Sequence, residues 1–466
     1  MPHILISATR KSSGKTTIAV GISAALAKTG LQVQTFKKGP DYIDPMWLSR
    51  ATVRPCRNLD YYTMSQQEIV NSFSYYSHRA EFSLIEGNKG LFDGLDLDGS
   101  NSNAALAKLL VAPIVLVIDT GGMTRGIAPL ILGYLDFDPA LNIAGVILNK
   151  VGGARHEKKL RAIVEHYTDV PVLGVLYKDE LLKIPERHLG LTPTNESPEV
   201  LEKINTIASL IAEKIDLDAI KKIANKAVMM PIPVPVRIHK GKPDIRIGIA
   251  RDSAFGFYYP GDLEALEESG ATLVNIDMIK DTVLPKIDGL FIGGGFPETQ
   301  MVELKANSSM MDSVRKAIEE GLPTYAECGG LMYLARSITW QGMTQKMAGV
   351  IAGDIIMHDK PQGRGYVRLR ETGNGPWPLK GVGEISAHEF HYSSLKNLEG
   401  NFEFAYEMLR GNGIDGKHDG LVYKNLLAGF SHLRDVEANS WATRFANFVR
   451  LSKKTQIQKS PKRGAV

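Results

Sequence analysis

The chain has 466 residues, 55 Lys and Arg against 51 Asp and Glu, 44% hydrophobic residues and two cysteines. That length gives two or more domains, each with its own core, and the near balance of charge argues against a nucleic-acid partner. Five of the positive charges (Lys453, Lys454, Lys459, Lys462, Arg463) follow Leu451 with no acid among them, so the rest carries 50 against 51.

The start, Met1-Pro2-His3-Ile4, lacks a basic stretch followed by an apolar core. The longest apolar run, Leu109 to Ile118, is too short to span a bilayer and contains Pro113. Cys56 and Cys328 have no metal-ligand spacing and allow one bridge at most. These features predict a soluble, cytoplasmic protein with no membrane span.

In chain order, strands are predicted at Ile4 to Ser7, Val33 to Phe36, Phe82 to Ile85, Ile114 to Ile118, Ala144 to Leu148 and Val172 to Leu176. Helices are predicted at Thr16 to Lys28, Asn103 to Leu110, Arg125 to Leu135 and His156 to Glu165. Continuous apolar strands separated by helices specify a parallel sheet covered on both faces. A helical stretch from Pro198 to Ala227 closes this half. The run Met229-Met230-Pro231-Ile232-Pro233-Val234-Pro235 then forbids a helix and predicts an extended connector. The second half restarts at Ile245 to Ala250, with a helix near Asp262 to Ser269 and strands at Gly289 to Ile292, Pro323 to Tyr325 and Asn425 to Gly429. The fold class is α/β with two doubly wound domains. The expected division is 1–228, a linker 229–243, a second domain 244–450 and a basic, disordered tail 451–466.

The first predicted strand runs into Ala8-Thr9-Arg10-Lys11-Ser12-Ser13-Gly14-Lys15-Thr16-Thr17 and then a helix. Small residues let backbone N–H groups turn toward phosphate oxygens, and the helix N-terminus adds its positive end. Ser13, Gly14, Lys15, Thr16 and Thr17 are therefore nucleotide-binding candidates. Lys15 would reach the outer phosphates and Thr16 would ligate Mg²⁺. The usual first glycine of such a loop is Thr9 here. Glu86, ending the run Leu84-Ile85, is placed for a second Mg²⁺ contact. The segment Lys37-Lys38-Gly39-Pro40-Asp41-Tyr42-Ile43-Asp44-Pro45 falls at the C-terminal end of a neighbouring strand, where ligands of open α/β sheets collect. Asn149, after the strand ending at Leu148, is placed to bond a purine edge.

Cys328 lies in Thr324-Tyr325-Ala326-Glu327-Cys328-Gly329-Gly330. Small residues on both sides suit a tight strand-to-helix elbow that presents the thiol at a helix start, where its pKa should fall. The glycines of Gly293-Gly294-Gly295-Phe296-Pro297-Glu298, above all Gly294 and Gly295, could aim N–H groups at an oxyanion, each such donor worth about 3–4 kcal/mol. His432 is the leading base candidate, with His388 and His391 behind it. Cys56, in Arg54-Pro55-Cys56-Arg57, lacks an elbow and reads as buried.

Seven motifs in order resemble the cobyrinic acid a,c-diamide synthase family. They are Ser13-Gly14-Lys15-Thr16-Thr17, Phe36 to Pro45, Glu86-Gly87 with Gly90-Leu91-Phe92-Asp93-Gly94, Leu148 to Gly152, Gly293 to Glu298, Glu327-Cys328-Gly329-Gly330 and His388 to Ser393. The resemblance covers nearly the whole chain. It implies a dethiobiotin-synthetase-like P-loop ATPase domain followed by a class I glutamine amidotransferase domain. It implies ATP with Mg²⁺, L-glutamine and a tetrapyrrole carboxylate as reactants, no nucleic acid, and leaves a homodimer open. Cys328 would be the glutaminase nucleophile and His432 its base. The glutamate common two residues after that histidine is Arg434 here, so the resemblance implies a Cys–His pair without a third member. Asp41, Tyr42, Asp44 and Asp93 would lie near the tetrapyrrole carboxylate and Mg-ATP, with Thr16, Asp44 and Glu86 on the metal. Within this resemblance sirohaem or another sirohydrochlorin derivative is the alternative substrate, sirohaem on the strength of Lys37-Lys38 and Met46-Trp47. A partitioning-ATPase-like, nucleotide-switched binding module is the alternative of another class. A free-standing thiol hydrolase with a decayed ATPase half is a third.

Overall fold

The computed structural model describes residues 1–187, 190–196, 199–228, 230, 242–377 and 383–459. The chain divides into two compact units, Met1–Pro235 and Val236–Val466. Most of the predicted connector falls outside the described residues.

The first unit holds a seven-stranded sheet built from β1 (His3–Ala8), β2 (Val33–Lys38), β3 (Arg57–Leu59), β4 (Phe82–Glu86), β5 (Ile114–Asp119), β6 (Ile143–Val151) and β7 (Val172–Tyr177). Their order is β3-β2-β4-β1-β5-β6-β7, and every pairing is parallel. Side chains alternate between two cores: Ile4 and Ile6 enter one, Leu5 the other. A strand buried on both faces must be apolar throughout, which is why these runs are continuous. α1 (Lys15–Lys28) follows β1, and α2 (Ile43–Thr52) follows β2 where no helix was predicted. The predicted single helix from Pro198 to Ala227 is two, Val200–Lys214 and Leu217–Asn225. Asp216 restarts the second, its Oδ1 accepting the Ala219 N–H at 2.8 Å.

The second unit has a nine-stranded sheet. Five parallel strands come first, in the order Ala271–Ile276, Ile245–Ala250, Gly289–Ile292, Thr324–Glu327 and Leu426–Gly429. Four antiparallel strands extend it through His418–Tyr423, Glu403–Arg410, Gly363–Glu371 and Glu384–His391. The doubly wound expectation describes the parallel part, and the meander beyond it was not foreseen. Polar alternation in strands such as Gly363–Glu371, half exposed, hides them from a search for apolar runs.

The tail expectation fails in part. A helix runs from Trp441 to Lys459, so order continues past Leu451. Lys453 Nζ donates to Asp288 Oδ2 at 2.9 Å and to the Asp244 carbonyl at 2.8 Å. The first lysine of the basic run is thus held by acids distant in sequence. Among the described residues no helix is long and apolar enough to cross a membrane.

Candidate active sites

In the first unit, the C-terminal ends of adjacent parallel strands deliver their loops to one edge, the place where α/β sheets bind ligands. The loop from β1 reaches α1 through Ser12 and Gly14, both with positive φ (62° and 91°). A Cβ on Gly14 would run into the Asn149 amide, so only glycine fits. Asn149 Nδ2 donates to the Ser13 carbonyl at 2.8 Å, and Lys150 Nζ to the Ser12 carbonyl at 2.8 Å and Asp119 Oδ2 at 3.0 Å. Side chains from the ends of β5 and β6 thus hold the loop open from the side. Thr17 is half-buried in the first turn of α1.

Thr16 Oγ1 donates to Glu86 Oε1 at 2.6 Å and leans on Asp44 Oδ2 at 3.2 Å. Lys37 Nζ, buried, contacts Asp44 Oδ2 at 2.5 Å, Glu86 Oε1 at 3.0 Å and Asp41 Oδ2 at 3.9 Å. Burial works against the Lys37 charge, but the Asp44, Glu86 and Asp41 carboxylates outweigh it and raise its pKa. Lys15 has the opposite balance: burial and the Lys37 charge push it down to about 8. Burial also brings Lys38 down to about 8. Burial, then the Asp44 charge, push the Asp41 carboxyl up.

Three of the expected substrate residues have structural contacts. Asp41 Oδ1 accepts the N–H groups of Ile43 and Asp44 at 2.9 and 3.1 Å, starting α2 beside Tyr42. Asp93 is exposed, and its Oδ2 accepts the Gly90 N–H at 2.7 Å. Asn103 escaped the sequence reading, yet its Nδ2 reaches Ser7 Oγ and the carbonyls of Asn88 and Gly90. It fixes the loop after Glu86, and an asparagine at a helix start gives no sign of such a reach.

Thr16, Asp44 and Glu86 fit a hard, oxygen-ligated cation. Glu86 Oε2 is buried without a hydrogen-bond partner, and burial raises the carboxyl pKa, a cost a dication would remove. Among the described residues no cluster of three His, Cys, Asp or Glu is arranged to hold a metal. The set is one hydroxyl and two carboxylates.

In the second unit, three neighbouring parallel strands end at one edge. Thr324–Glu327 carries Cys328, Gly289–Ile292 carries the glycine loop, and Leu426–Gly429 leads to His432. Cys328 sits at φ 47°, ψ −99°, and its N–H donates to the Gly429 carbonyl at 2.7 Å. The short helix Gly329–Leu334 follows at once. This strained elbow is the one the small flanking residues predicted. A Cβ on Gly330 would overlap the Ile292 carbonyl oxygen, so the elbow packs directly on the neighbouring strand. A Cβ on Gly329 would stand 3.0 Å from the Gly295 nitrogen, and one on Gly294 would stand 2.8 Å from His432 Cε1. Elbow, glycine loop and histidine are therefore mutual neighbours. The N–H groups flanking the pair Gly294-Gly295 are occupied: Gly293 donates to Tyr258 Oη at 2.9 Å and Phe296 to the Ala254 carbonyl at 3.0 Å.

The expected low thiol pKa is not found. Burial pushes Cys328 up, the Glu298 charge adds to it, and the Gly329 N–H offsets only part. A one-and-a-half-turn helix start cannot outweigh desolvation, so the thiol needs a base to ionise. His432 is buried, stacked on His388 with ring centroids 4.8 Å apart. Its Nδ1 lies 3.4 Å from Glu327 Oε2. His391 stacks on Phe430 at 4.0 Å and bonds the Ser393 carbonyl, a structural place. Beside the implied Cys–His pair, a carboxylate does face His432, from the residue before Cys328. Cys56 is buried, as expected, and burial raises its pKa.

Two family models match. Residues 4–191 match a CobQ/CobB/MinD/ParA nucleotide binding domain, and residues 246–438 a CobB/CobQ-like glutamine amidotransferase domain. A cobyrinate a,c-diamide synthase of Magnetococcus marinus is 45% identical over 97% of both chains. The chain belongs to the cobyrinate a,c-diamide synthase family. Synthases of that name from Methanosarcina acetivorans and Dehalococcoides mccartyi are each 40% identical, over 94% and 97% of this chain and 93% and 98% of theirs. In this member of the synthase family, two residues that favoured sirohaem are internal. Trp47 is 2% exposed and donates to the Thr192 carbonyl, while Lys37 is enclosed by acids.

Proposed function

We propose that this chain is a ligase that amidates the a and c acetates of cobyrinate, using ATP and glutamine. The observation that carries the reading is the pairing, in one chain of this family, of a lysine-bearing phosphate loop with a cysteine elbow beside a histidine. His432 takes the Cys328 proton as the sulfur attacks the glutamine side-chain amide. Gly294 and Gly295 N–H groups hold the oxyanion; the C–N bond breaks and ammonia leaves. Water then releases glutamate from the thioester.

In the first unit Lys15, with the N–H groups of Ser13, Gly14, Thr16 and Thr17, holds the ATP phosphates. Asn149 has spent its Nδ2 on Ser13, so it would present Oδ1 to a purine amino group. Mg²⁺, held by Thr16, Asp44 and Glu86, would neutralise charge on the transferring phosphoryl group. Asp41, Tyr42 and Asp93, on loops at the same sheet edge, line the approach of the substrate carboxylate. That carboxylate takes the γ-phosphoryl group; ammonia then attacks the acyl phosphate, phosphate leaves and an amide remains.

The test incubates the purified protein with cobyrinate, Mg-ATP and glutamine labelled at its amide nitrogen. The expected product carries two labelled amides, with two ATP consumed. Absence of labelled product, with sirohaem as substrate giving it instead, would overturn the choice of tetrapyrrole. A nucleotide-switched binding module would give neither product.

A further inference from the structure

We infer that Glu327 is the positioning carboxylate of the glutaminase site, holding His432 as the base for Cys328; this rests on the reading above. The position two residues after His432 is Arg434, whose guanidinium lies over the Tyr259 ring at 5.0 Å, so no acid is available there. Glu327 supplies one from the nucleophile's own strand. Its Oε2 faces His432 Nδ1 at 3.4 Å, and both side chains are 3% exposed.

The carboxylate is held from its other oxygen. Oε1 accepts the Tyr325 hydroxyl at 2.5 Å and the Leu433 N–H at 2.9 Å. Tyr325 and Glu327 are two apart on one strand and so share a face. The Tyr325 ring is fixed among Phe291, Trp441 and Trp377, at centroid distances of 5.1, 5.0 and 5.1 Å. The Leu433 N–H comes from the residue next to the histidine itself. One carboxylate therefore ties the segment before the nucleophile to the segment bearing the base. Donation from Nδ1–H to Oε2 selects the tautomer whose Nε2 carries no proton and can take the one from the thiol.

Four other acids are buried among the described residues of this unit; Glu389 accepts the N–H groups of Asn412 and Gly413 at 2.7 and 2.9 Å, and the Glu298 charge acts on the Cys328 thiol. Asp262 Oδ1 accepts the Asp435 N–H at 2.9 Å, and Asp419 accepts the N–H groups of Phe430 and Ser431 at 3.0 and 2.8 Å. Glu327 is the carboxylate that the fold sets against the base.

The test compares E327Q and E327D with the unaltered protein, with ammonia-driven amidation as a control that bypasses the thiol. For glutamine hydrolysis, kcat of E327Q should fall about 10- to 1,000-fold with KM held within about threefold, because the amide favours the wrong tautomer. E327D should recover part of the loss, and ammonia-driven amidation should persist in both. A glutamine-driven kcat of E327Q within about threefold of the parent overturns the proposal. So does loss of ammonia-driven synthesis in both variants, which marks Glu327 as structural. If the unaltered protein releases no ammonia from glutamine, the reading of the whole site fails instead.

Discussion

Two lysines of the phosphate site carry their charges under opposite conditions. Lys37 is buried among three carboxylates that stabilise it, whereas Lys15 is buried with too little compensation and falls to about 8. A lowered lysine pKa contributes stability only above its unfolded value, near 10.4, and loses it as pH drops through about 8. At neutral pH the Lys15 charge therefore costs the empty protein stability. The K15M variant should be more stable than the parent without nucleotide, by about 1–3 kcal/mol, in thermal melts at pH 7. Mg-ATP should raise the parent's Tm and leave that of K15M unmoved. Phosphate oxygens would restore the ammonium, so binding should take up protons near pH 8. Nucleotide affinity should fall as pH rises from about 7 to about 9, which calorimetry in buffers of different ionisation enthalpy would measure. The loop that carries Lys15 and Thr16 was legible because phosphate binding needs adjacent residues at fixed spacing. The pKa inversion of Cys328 was not, since burial depends on distant packing.

At the scale of elements, both sites are strand-to-helix turns, and their geometry is set by what the turn packs against. The elbow at Cys328 is held at φ 47° by the Gly429 carbonyl on one side and the Ile292 carbonyl under Gly330 on the other. Backbone inside a sheet cannot yield to a methyl group. G330A should lower stability by about 1–3 kcal/mol and abolish ammonia release from glutamine, read by denaturant melts and a coupled glutamate assay. Ammonia-driven synthesis should survive, because the strain is local to this turn. Full glutaminase activity in G330A would show that the elbow relaxes freely. The apolar strands were found by period and length, and their observed ends differ by no more than three residues. α2 was missed because Pro45 and the charged run before it break the apolar pattern, whereas Asp41 Oδ1 accepts the first two N–H groups of a helix there. The antiparallel strands of the second sheet were missed because their exposed faces break the apolar runs.

At the scale of the whole molecule, each unit carries its own sheet, cores and site, so the two half-reactions should separate genetically. C328A should lose glutamine-driven synthesis by at least about 1,000-fold yet keep synthesis from ammonium salts. K15A should lose both syntheses, because without the acyl phosphate ammonia has no target. Measuring labelled amide from glutamine and from ammonium in parallel checks this, and loss of both in C328A would contradict independent sites. On the proposed function, the chemistry would link the units through one small neutral nucleophile made in the second and consumed in the first.

By itself the sequence determined what depends on neighbours along the chain: the phosphate loop, the elbow, the glycine loop and the two α/β units. These features are local because a turn of fixed length needs particular residues at particular offsets. The tertiary structure decided what depends on strand order. The parallel register places Glu86 under Thr16 and Asn149 beside Ser13, and it sets Glu327 against His432 across 105 residues of chain. It also decided which charges are buried, and so which are stabilised and which are strained. Desolvation is a property of the packed interior, and no single stretch of sequence carries it.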